Sequence, residues 1–339
     1  MIDSHEISVV VQGAFNKDIT PNTIASIRKY LPKAEIILSV WEGTVLPKNL
    51  SVDKTVFNKD PGFCYYSDEK NPKKNNVNRQ IVSTLSGLKA TTRKYALKMR
   101  TDFILTGNNF LNYFDKYKKV NPKWQIFEKK LVACTFFARI PEISKTALHI
   151  SDLLFFGLTS DILRLFDIPL MPKEYELCFT YSKDNKKKYE HTYTKYCPEQ
   201  YIFCTCLKKC KMPFKMDNQY DLTKENTEQT YNYFANNFVF LSYGQYNVIP
   251  SAALMDMLIV YKDCYTFVKW KKIYKQYVDP DFVIAEKEDI ILKRLLRLRS
   301  YYGIIKTLFT PVIPSSTRRK YRKIIQMKIF AYLVKKKII

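Results

Sequence analysis

Three ionisable residues, Lys98, Arg100 and Asp102, alternate along the short segment KMRTD. Side chains two residues apart in a β-strand point to the same face, so all three would share one face. Unpaired charge is costly to bury in an ordinary core. The pattern therefore predicts a strand whose C-terminal end opens into a cleft for a charged ligand, where open α/β sheets bind their ligands. The simpler alternative is that Arg100 and Asp102 only neutralise each other.

The segment before this strand supplies further polar side chains. Residues 76–88 read NVNRQIVSTLSGL, and their apolar residues recur at the spacing of one helix face. We interpret Asn78 as the N-cap, which leaves Arg79 and Gln80 on the first turn, where side chains can reach a ligand. These three residues are candidates for binding phosphate or sugar, with simple helix capping as the alternative.

Strands and helices alternate from the N-terminus to about residue 170, which predicts an α/β domain with a mostly parallel sheet. Strands are predicted at residues 7–12, 35–39, 54–58 and 131–137, with a D-P-G turn at 60–62 after the third. Helices are predicted from Thr20 to Pro32 and near 108–117, and residues 65–76 are interpreted as a loop. Polar residues, a glycine and a tryptophan lie where the first two strands end: Gln12, Gly13, Ser39 and Trp41.

Two acidic residues stand at later element boundaries. Asp152 ends the tetrad HISD just before the apolar run LLFFG, and capping of that strand is its alternative role. Glu199 lies in PEQY, where proline at N1 and an acid in the first turn open a helix. Between them, residues 182–190 form a Lys/Asn-rich stretch that we interpret as a surface insertion.

Several common functional motifs are missing from the sequence. The eight glycines form neither a dinucleotide-binding G-x-G-x-x-G motif nor a Walker loop, and neither G-x-S-x-G nor H-E-x-x-H occurs. The four cysteines between residues 197 and 210 lack the C-x2-C spacing of structural zinc sites, so buried or idle cytosolic thiols are favoured over a metal site. Dinucleotide enzymes, P-loop ATPases, common hydrolases and zincins are therefore disfavoured.

The chain is strongly basic, with a net charge of +24 over 339 residues, which indicates a polyanionic partner. Residues 293–339 contain fourteen Lys/Arg and no acid, interspersed with Leu, Ile, Phe and Tyr. Basic helices with bulky apolar faces bind anionic membrane surfaces. We therefore predict a helical, basic, membrane-associating region at residues 251–339, with a solvated tail or nucleic-acid arm as the alternative.

Neither a secretory signal peptide nor an apolar run of about 20 residues is found, so the cytoplasm is the expected compartment. Residues 1–250 are expected to form the α/β domain.

Several segments together resemble one family. They are VVVQG (9–13), SIRKYLPKAEIILSVW (26–41), NKDPG (58–62), NVNRQIVSTLSGL (76–88), KMRTD (98–102), HISDLLFFG (149–157) and PEQY (198–201). Over residues 7–205 the chain resembles the WavE family of bacterial lipopolysaccharide-synthesis proteins, regarded as glycosyltransferases with a GT-A-like fold.

The resemblance implies a Rossmann-like GT-A sheet that binds a nucleotide-sugar at the ends of its strands. It places the nucleotide base and ribose near Gln12, Gly13, Ser39 and Trp41, and the diphosphate near Asn78, Arg79, Gln80, Lys98 and Arg100. Asp102, Asp152 and Glu199 become the catalytic candidates, with Asp152 contacting donor sugar or acceptor and Glu199 resembling the late acid that serves as base or acceptor contact.

Such domains often hold a divalent metal through an aspartate motif, but Arg100 stands where a D-x-D motif has its first acid. Either the guanidinium neutralises the diphosphate, or Asp102 holds Mg²⁺ or Mn²⁺.

The sequence thus predicts a glycosyltransferase that moves a sugar from a nucleotide-sugar to lipopolysaccharide or a related glycan, lipid-linked or polysaccharide. It would sit on the inner face of the cytoplasmic membrane through its basic C-terminal region. A nucleic-acid-binding protein is the alternative, although no specific nucleic-acid motif is found.

Overall fold

The structure is a computed structural model that describes residues 2–181, 191–250 and 263–285. Its strands are β1 (Ile7–Gln12), β2 (Glu35–Trp41), β3 (Lys54–Asn58), β4 (Cys64–Tyr65), β5 (Lys74–Asn75), β6 (Tyr95–Arg100), β7 (Ile104–Leu105), β8 (Leu131–Cys134), β9 (Phe155–Leu158), β10 (Phe179–Tyr181), β11 (His191–Tyr193), β12 (Phe238–Leu241) and β13 (Val248–Ile249). The helices are α1 (Thr20–Tyr30), α2 (Val77–Lys89), α3 (Pro141–Ser144), α4 (Thr159–Phe166), α5 (Pro198–Lys209), α6 (Lys224–Asn237), α7 (Tyr243–Tyr246) and α8 (Phe267–Tyr277).

Seven strands form the central sheet in the order β12-β8-β9-β6-β1-β2-β3. Every neighbouring pair is parallel except those of β9, which runs antiparallel to both β6 and β8. The chain builds β1, β2 and β3 outward in one direction and then returns to place β6 on the other side of β1. Ligands bind at such switch points in open α/β sheets. The predicted fold class, a mostly parallel α/β sheet flanked by helices, is confirmed.

The centre of the sheet is buried on both faces. All six residues of β1 are buried, as expected for a parallel strand covered by helices. Helix α2 packs over β1 and β2, and α4 and α5 pack beside it. Gly87 permits this close approach, because a Cβ built there would lie 2.5 Å from Val10 Cγ1.

The last described helix belongs to the same hydrophobic core. Helix α8 packs against α6 and β12, and its Trp270 and Tyr274 side chains are buried. The predicted division at residue 250 stays a prediction. The predicted insertion at 182–190 and most of the predicted basic C-terminal region lie outside the described residues. Among the described residues, no helix combines the length and apolarity needed to cross a bilayer.

Several predicted boundaries were wrong. The N-cap of α2 is Asn76 rather than Asn78, which lies inside the first turn. The strand predicted to reach Phe137 ends at Cys134, and the predicted helix at 108–117 is a short 3-10 helix at Asn109–Tyr113. The loop expected at 65–76 contains the strands β4 and β5, which pair as a hairpin.

Candidate functional site

A cavity of about 630 Å³, lined mainly by polar residues, lies at the carboxyl ends of β1, β2 and β6. This volume falls within the range of small-molecule and cofactor sites, about 300–1,000 Å³. The lining residues come from the strand ends, the start of α2 and the segment before β9: Gln12, Gly13, Ala14, Phe15, Asn16, Trp41, Asp60, Asn76, Arg79, Gln80, Ser83, Arg100, Thr101, Asp102, Asp152 and Leu153.

Arg100 and Asp102 form a two-pronged ion pair in the cavity wall. Arg100 Nε and a terminal nitrogen donate to the two Asp102 carboxylate oxygens, each at 2.8 Å. Burial alone would lower the pKa of the Arg100 guanidinium, but the hydrogen bonds and charge of Asp102 outweigh it and raise that pKa. Arg100 therefore stays cationic and in contact with the cavity.

A second ion pair of the same kind joins α2 to the loop after β3. Arg79 donates from Nε and a terminal nitrogen to the two oxygens of Asp60, at 2.8 and 2.6 Å. The Arg79 guanidinium also lies 5.1 Å from the centre of the Phe63 ring. Hydrogen bonds from Arg79 are the main cause of the lowered pKa of Asp60. The cavity is thus flanked by two guanidinium–carboxylate pairs.

The end of β1 contributes backbone and a small network of polar side chains to the cavity wall. Ser83 Oγ donates to Gln12 Oε1 at 2.6 Å, which fixes the Gln12 amide against α2. Gly13 has φ of +119°, a conformation that side chains strongly disfavour, so glycine is required there. Trp41 lies half-buried at the end of β2 and lines the same cavity.

Asp152 lies where three elements meet. Its backbone oxygen accepts from Gln80 Nε2 at 2.9 Å and from Lys98 Nζ. Within the described parts of the chain, no hydrogen bond reaches the Asp152 carboxylate. Lys98 itself is fully buried below the cavity, with its amine over the Phe166 ring, and burial lowers its pKa to about 8.

The structure brings together eight of the twelve predicted site residues in the cavity wall: Gln12, Gly13, Trp41, Arg79, Gln80, Arg100, Asp102 and Asp152. Ser39 is buried and bonded to Asn58 and Ser86. The Asn78 amide bonds to the backbone of Met171, at 3.2 and 2.6 Å. Lys98 and Glu199 also lie outside the wall.

Glu199 belongs to a buried group at the start of α5. His149 Nε2 lies 3.8 Å from a Glu199 carboxylate oxygen, and the neighbouring Cys197 thiol donates to Gln200 Oε1 at 3.1 Å. Burial, with the charge of Asp152, raises the pKa of Glu199 to about 8. Burial, with the charge of Arg139, lowers the pKa of His149 to about 3. At neutral pH the carboxyl is largely protonated and the imidazole is neutral.

Sequence reasoning missed part of the wall, notably Asp60, Ser83 and Thr101. Asp60 lies two residues after the end of the parallel strand β3. The expectation that residues at strand ends reach a ligand, which selected Gln12 and Trp41, therefore also applies to Asp60. Its D-P-G context was interpreted only as a turn. Ser83 lies one helical turn after Arg79 on the same face of α2, a spacing visible in the sequence.

A sheet with one switch point and a ligand-sized cavity there defines an α/β protein of the class that binds small molecules at its strand ends. A family model for WavE lipopolysaccharide synthesis matches residues 7–299. The chain belongs to this family, and the match extends well beyond the predicted 7–205. A comparison with curated proteins gives no match.

Proposed function

We propose that the chain is a glycosyltransferase that moves a sugar from a nucleotide-sugar donor to lipopolysaccharide or a related surface glycan. The observation that carries this proposal is the cavity at the β1/β6 switch point, which places two guanidinium groups and three carboxylates around about 630 Å³. Transfer from such a donor needs neutralisation of the diphosphate and a group to accept the proton of the acceptor hydroxyl. The family assignment favours glycan chemistry over the nucleic-acid alternative.

Arg100 and Arg79 supply the cationic side of the donor site. A guanidinium binds phosphate oxygens in the same two-pronged geometry that it uses with a carboxylate. Both side chains are already held in that geometry by Asp102 and Asp60, so each is oriented before the donor arrives. Trp41 and Gly13 stand at the adjacent strand ends, where the nucleotide base and ribose would bind.

The charge balance of the wall supports a divalent cation as part of donor binding. Arg79 and Arg100 oppose Asp60, Asp102 and Asp152, so the ionised lining side chains sum to one negative charge. A diphosphate would add further negative charge. A hard divalent ion prefers carboxylate and phosphate oxygens and would neutralise the diphosphate. Asp102 fits this role if its pair with Arg100 opens.

Asp152 is the carboxylate best placed to take the proton of an acceptor hydroxyl. It lies in the cavity wall, and its backbone is fixed by Gln80 and Lys98. Glu199 lies behind it, where burial and the charge of Asp152 raise its pKa. Attachment to the inner membrane face through the basic C-terminal region would bring the site to lipid-linked acceptors.

A panel of nucleotides and nucleotide-sugars tested by thermal shift is the direct experiment. A ligand at about 100 times its Kd should stabilise the folded chain by about 2.7 kcal/mol, and only ligands that carry the diphosphate should do so. Chelation by EDTA should weaken this shift, and Mn²⁺ or Mg²⁺ should restore it. Absence of a shift with every nucleotide, together with no sugar transfer to lipopolysaccharide precursors, would reject the proposal.

A further inference from the structure

Three different metal-ligating side chains meet behind the cavity, outside its wall. The ligand atoms of His149, Cys197 and Glu199 all lie within 4.8 Å of one another. The residues are 7%, 3% and 8% exposed, respectively. They come from the segment before β9 and from the N-cap and first turn of α5, so the fold brings them together across about fifty residues of chain. We infer that this cluster is a zinc-binding site that ties the start of α5 to the segment carrying Asp152.

The cluster needs little rearrangement to hold the ion. Zinc bonds of about 2.0–2.3 Å to nitrogen, oxygen and sulfur place tetrahedral ligands roughly 3.3–3.8 Å from one another. Ligand atoms already within 4.8 Å would therefore have to approach by about 1.5 Å at most. His149 Nε2 and the nearer Glu199 oxygen are already 3.8 Å apart.

Outer partners orient two of the three ligands. His149 Nδ1 lies 3.3 Å from the carbonyl oxygen of Ile150. A proton on Nδ1 donates to that carbonyl and leaves the Nε2 lone pair directed at Glu199, which is the arrangement of zinc-bound histidines. The Tyr66 hydroxyl is hydrogen-bonded to the Cys197 sulfur, and it can donate to that sulfur when Cys197 is a thiolate.

The proton and charge balance suits a divalent ion. As a thiolate and a carboxylate, Cys197 and Glu199 together carry two negative charges, and any proton that either group holds beforehand would be released to solvent when zinc binds. The cluster would then remain neutral overall, with two ligand charges balancing the ion. The neutral His149 imidazole supplies the third bond through its Nε2 lone pair and loses no proton.

Neighbouring charges act in both directions. Arg139 lies close enough to affect the pKa of both His149 and Glu199, and its charge opposes a cation, but a 2.5 Å ion pair with Asp263 neutralises it. Asp152 adds a nearby negative charge that favours the ion. A thiolate together with an imidazole selects zinc over magnesium or manganese, which prefer oxygen ligands. The cluster is thus chemically distinct from the carboxylates of the cavity wall.

Metal content and cobalt spectroscopy of the full chain test this inference without reference to activity. The chain purified without chelator should contain close to one zinc per molecule, measured by mass spectrometry of the metals. After removal of zinc, Co²⁺ should produce thiolate-to-cobalt charge-transfer absorption, which only a cysteine ligand can give. Binding should also release at least one proton per ion at neutral pH, from the Cys197 thiol, measured with a pH indicator in weak buffer.

Variants then assign the ligands. Cys197→Ser, His149→Ala and Glu199→Gln should each lower the zinc content strongly, and Tyr66→Phe should weaken binding by about tenfold. Cys204→Ser, at another buried thiol of α5, is the matched control and should retain zinc. The double variant Cys206→Ser/Cys210→Ser removes two further thiols near the end of α5 and should also retain zinc, which excludes adventitious binding by those two thiols. Absence of a charge-transfer band in the unmodified chain, or full zinc retention in Cys197→Ser, would overturn the inference even if another variant failed to fold.

Discussion

At the scale of single residues, the Arg100–Asp102 pair combines two properties that the sequence left as alternatives. The two side chains do neutralise each other, with both carboxylate oxygens bonded at 2.8 Å. They also line the cavity, and 41% of the Arg100 side chain remains exposed. An ion pair this exposed contributes little to stability, about 0–1 kcal/mol. Its position therefore favours a role in binding over one in folding.

We expect Arg100→Ala and Asp102→Asn to reduce sugar transfer by about 10²–10³-fold, because each removes a preorganised group from the diphosphate site. The free energy of unfolding should change by no more than about 1 kcal/mol, since the pair is partly exposed. Turnover with a saturating donor and urea denaturation of the same variants are the measurements.

Arg28→Ala is the matched control for this pair. It breaks a 2.6 Å ion pair with Asp53 that lies outside the cavity wall, so turnover should stay near normal. Near-normal turnover in Arg100→Ala, or unfolding of that variant under conditions where Arg28→Ala stays folded, would contradict the assignment.

The buried carboxyl of Glu199 should make stability depend on pH. Its pKa is raised from an ordinary 4.5 to about 8, mainly by burial and also by the charge of Asp152. Between these values the unfolded chain ionises while the folded chain keeps the proton, so this group lowers stability as pH rises from about 4.5 to about 8. The slope is at most about 1.4 kcal/mol per pH unit.

Glu199→Gln keeps the neutral shape of the side chain but cannot ionise. In the presence of a chelator, the variant should gain stability relative to the original chain as pH rises from about 4.5 to about 8, and the difference should then level off. His149, whose pKa is lowered to about 3, contributes the opposite slope between about 3 and 6.5, so only the difference between the two proteins isolates Glu199. A pH-independent difference in urea denaturation would show that Glu199 is not protonated in the fold.

At the scale of elements, periodicity predicted most of the first half of the fold. The apolar run of β1, the stripe of α2 and the proline-led starts of α1 and α5 all correspond to observed elements. Each of these signals depends on residues close together in the chain. The direction of β9 could not be predicted in this way, because a buried apolar run has the same composition in a parallel or an antiparallel neighbour.

The positions of site residues were less predictable, because they depend on contacts between residues far apart in the chain. Alternation placed Lys98 with Arg100 and Asp102, but Lys98 is buried and bonded to the carbonyl oxygen of Asp152, a partner 54 residues away. The proximity of His149 to Glu199 likewise depends on how α5 docks beside the sheet. Strand-end residues such as Gln12 were predictable because parallel strands bring their carboxyl ends to one edge.

The close packing of α2 on the sheet predicts the effect of one added methyl group. Gly87→Ala should gain up to about 1 kcal/mol in helix propensity but place Cβ 2.5 Å from Val10 Cγ1 in a fully buried strand. Overpacking of this kind costs about 1–3 kcal/mol, so we expect a net loss of up to about 2 kcal/mol in urea denaturation.

A double-mutant cycle checks the cause. Val10→Ala should destabilise the Gly87→Ala variant less than it destabilises the original chain, because it removes the atom that the new methyl group meets. Strictly additive losses would assign the effect of Gly87→Ala to the helix itself.

At the scale of the whole molecule, charge is distributed unevenly along the sequence. The chain carries a net +24, and residues 293–339 contribute fourteen basic residues without an acid. The cavity wall, in contrast, carries more carboxylates than guanidinium groups. An anionic surface would therefore attract the C-terminal region far more strongly than the site. This separation is consistent with one region that holds the protein at a surface and another that binds the donor.

The C-terminal region is therefore predicted to bind anionic membranes. Each basic residue near such a surface contributes about 1 kcal/mol, and interspersed Leu, Ile, Phe and Tyr would add apolar burial that a purely electrostatic arm does not need. Replacing Arg318, Arg319, Lys320, Arg322 and Lys323 with Gln should weaken co-sedimentation with anionic vesicles by more than about tenfold. Because these residues lie beyond the family match at 7–299, transfer to a water-soluble acceptor should be unchanged. Equal binding of the original chain to neutral and anionic vesicles, or binding to neither, would rule out this mode of attachment.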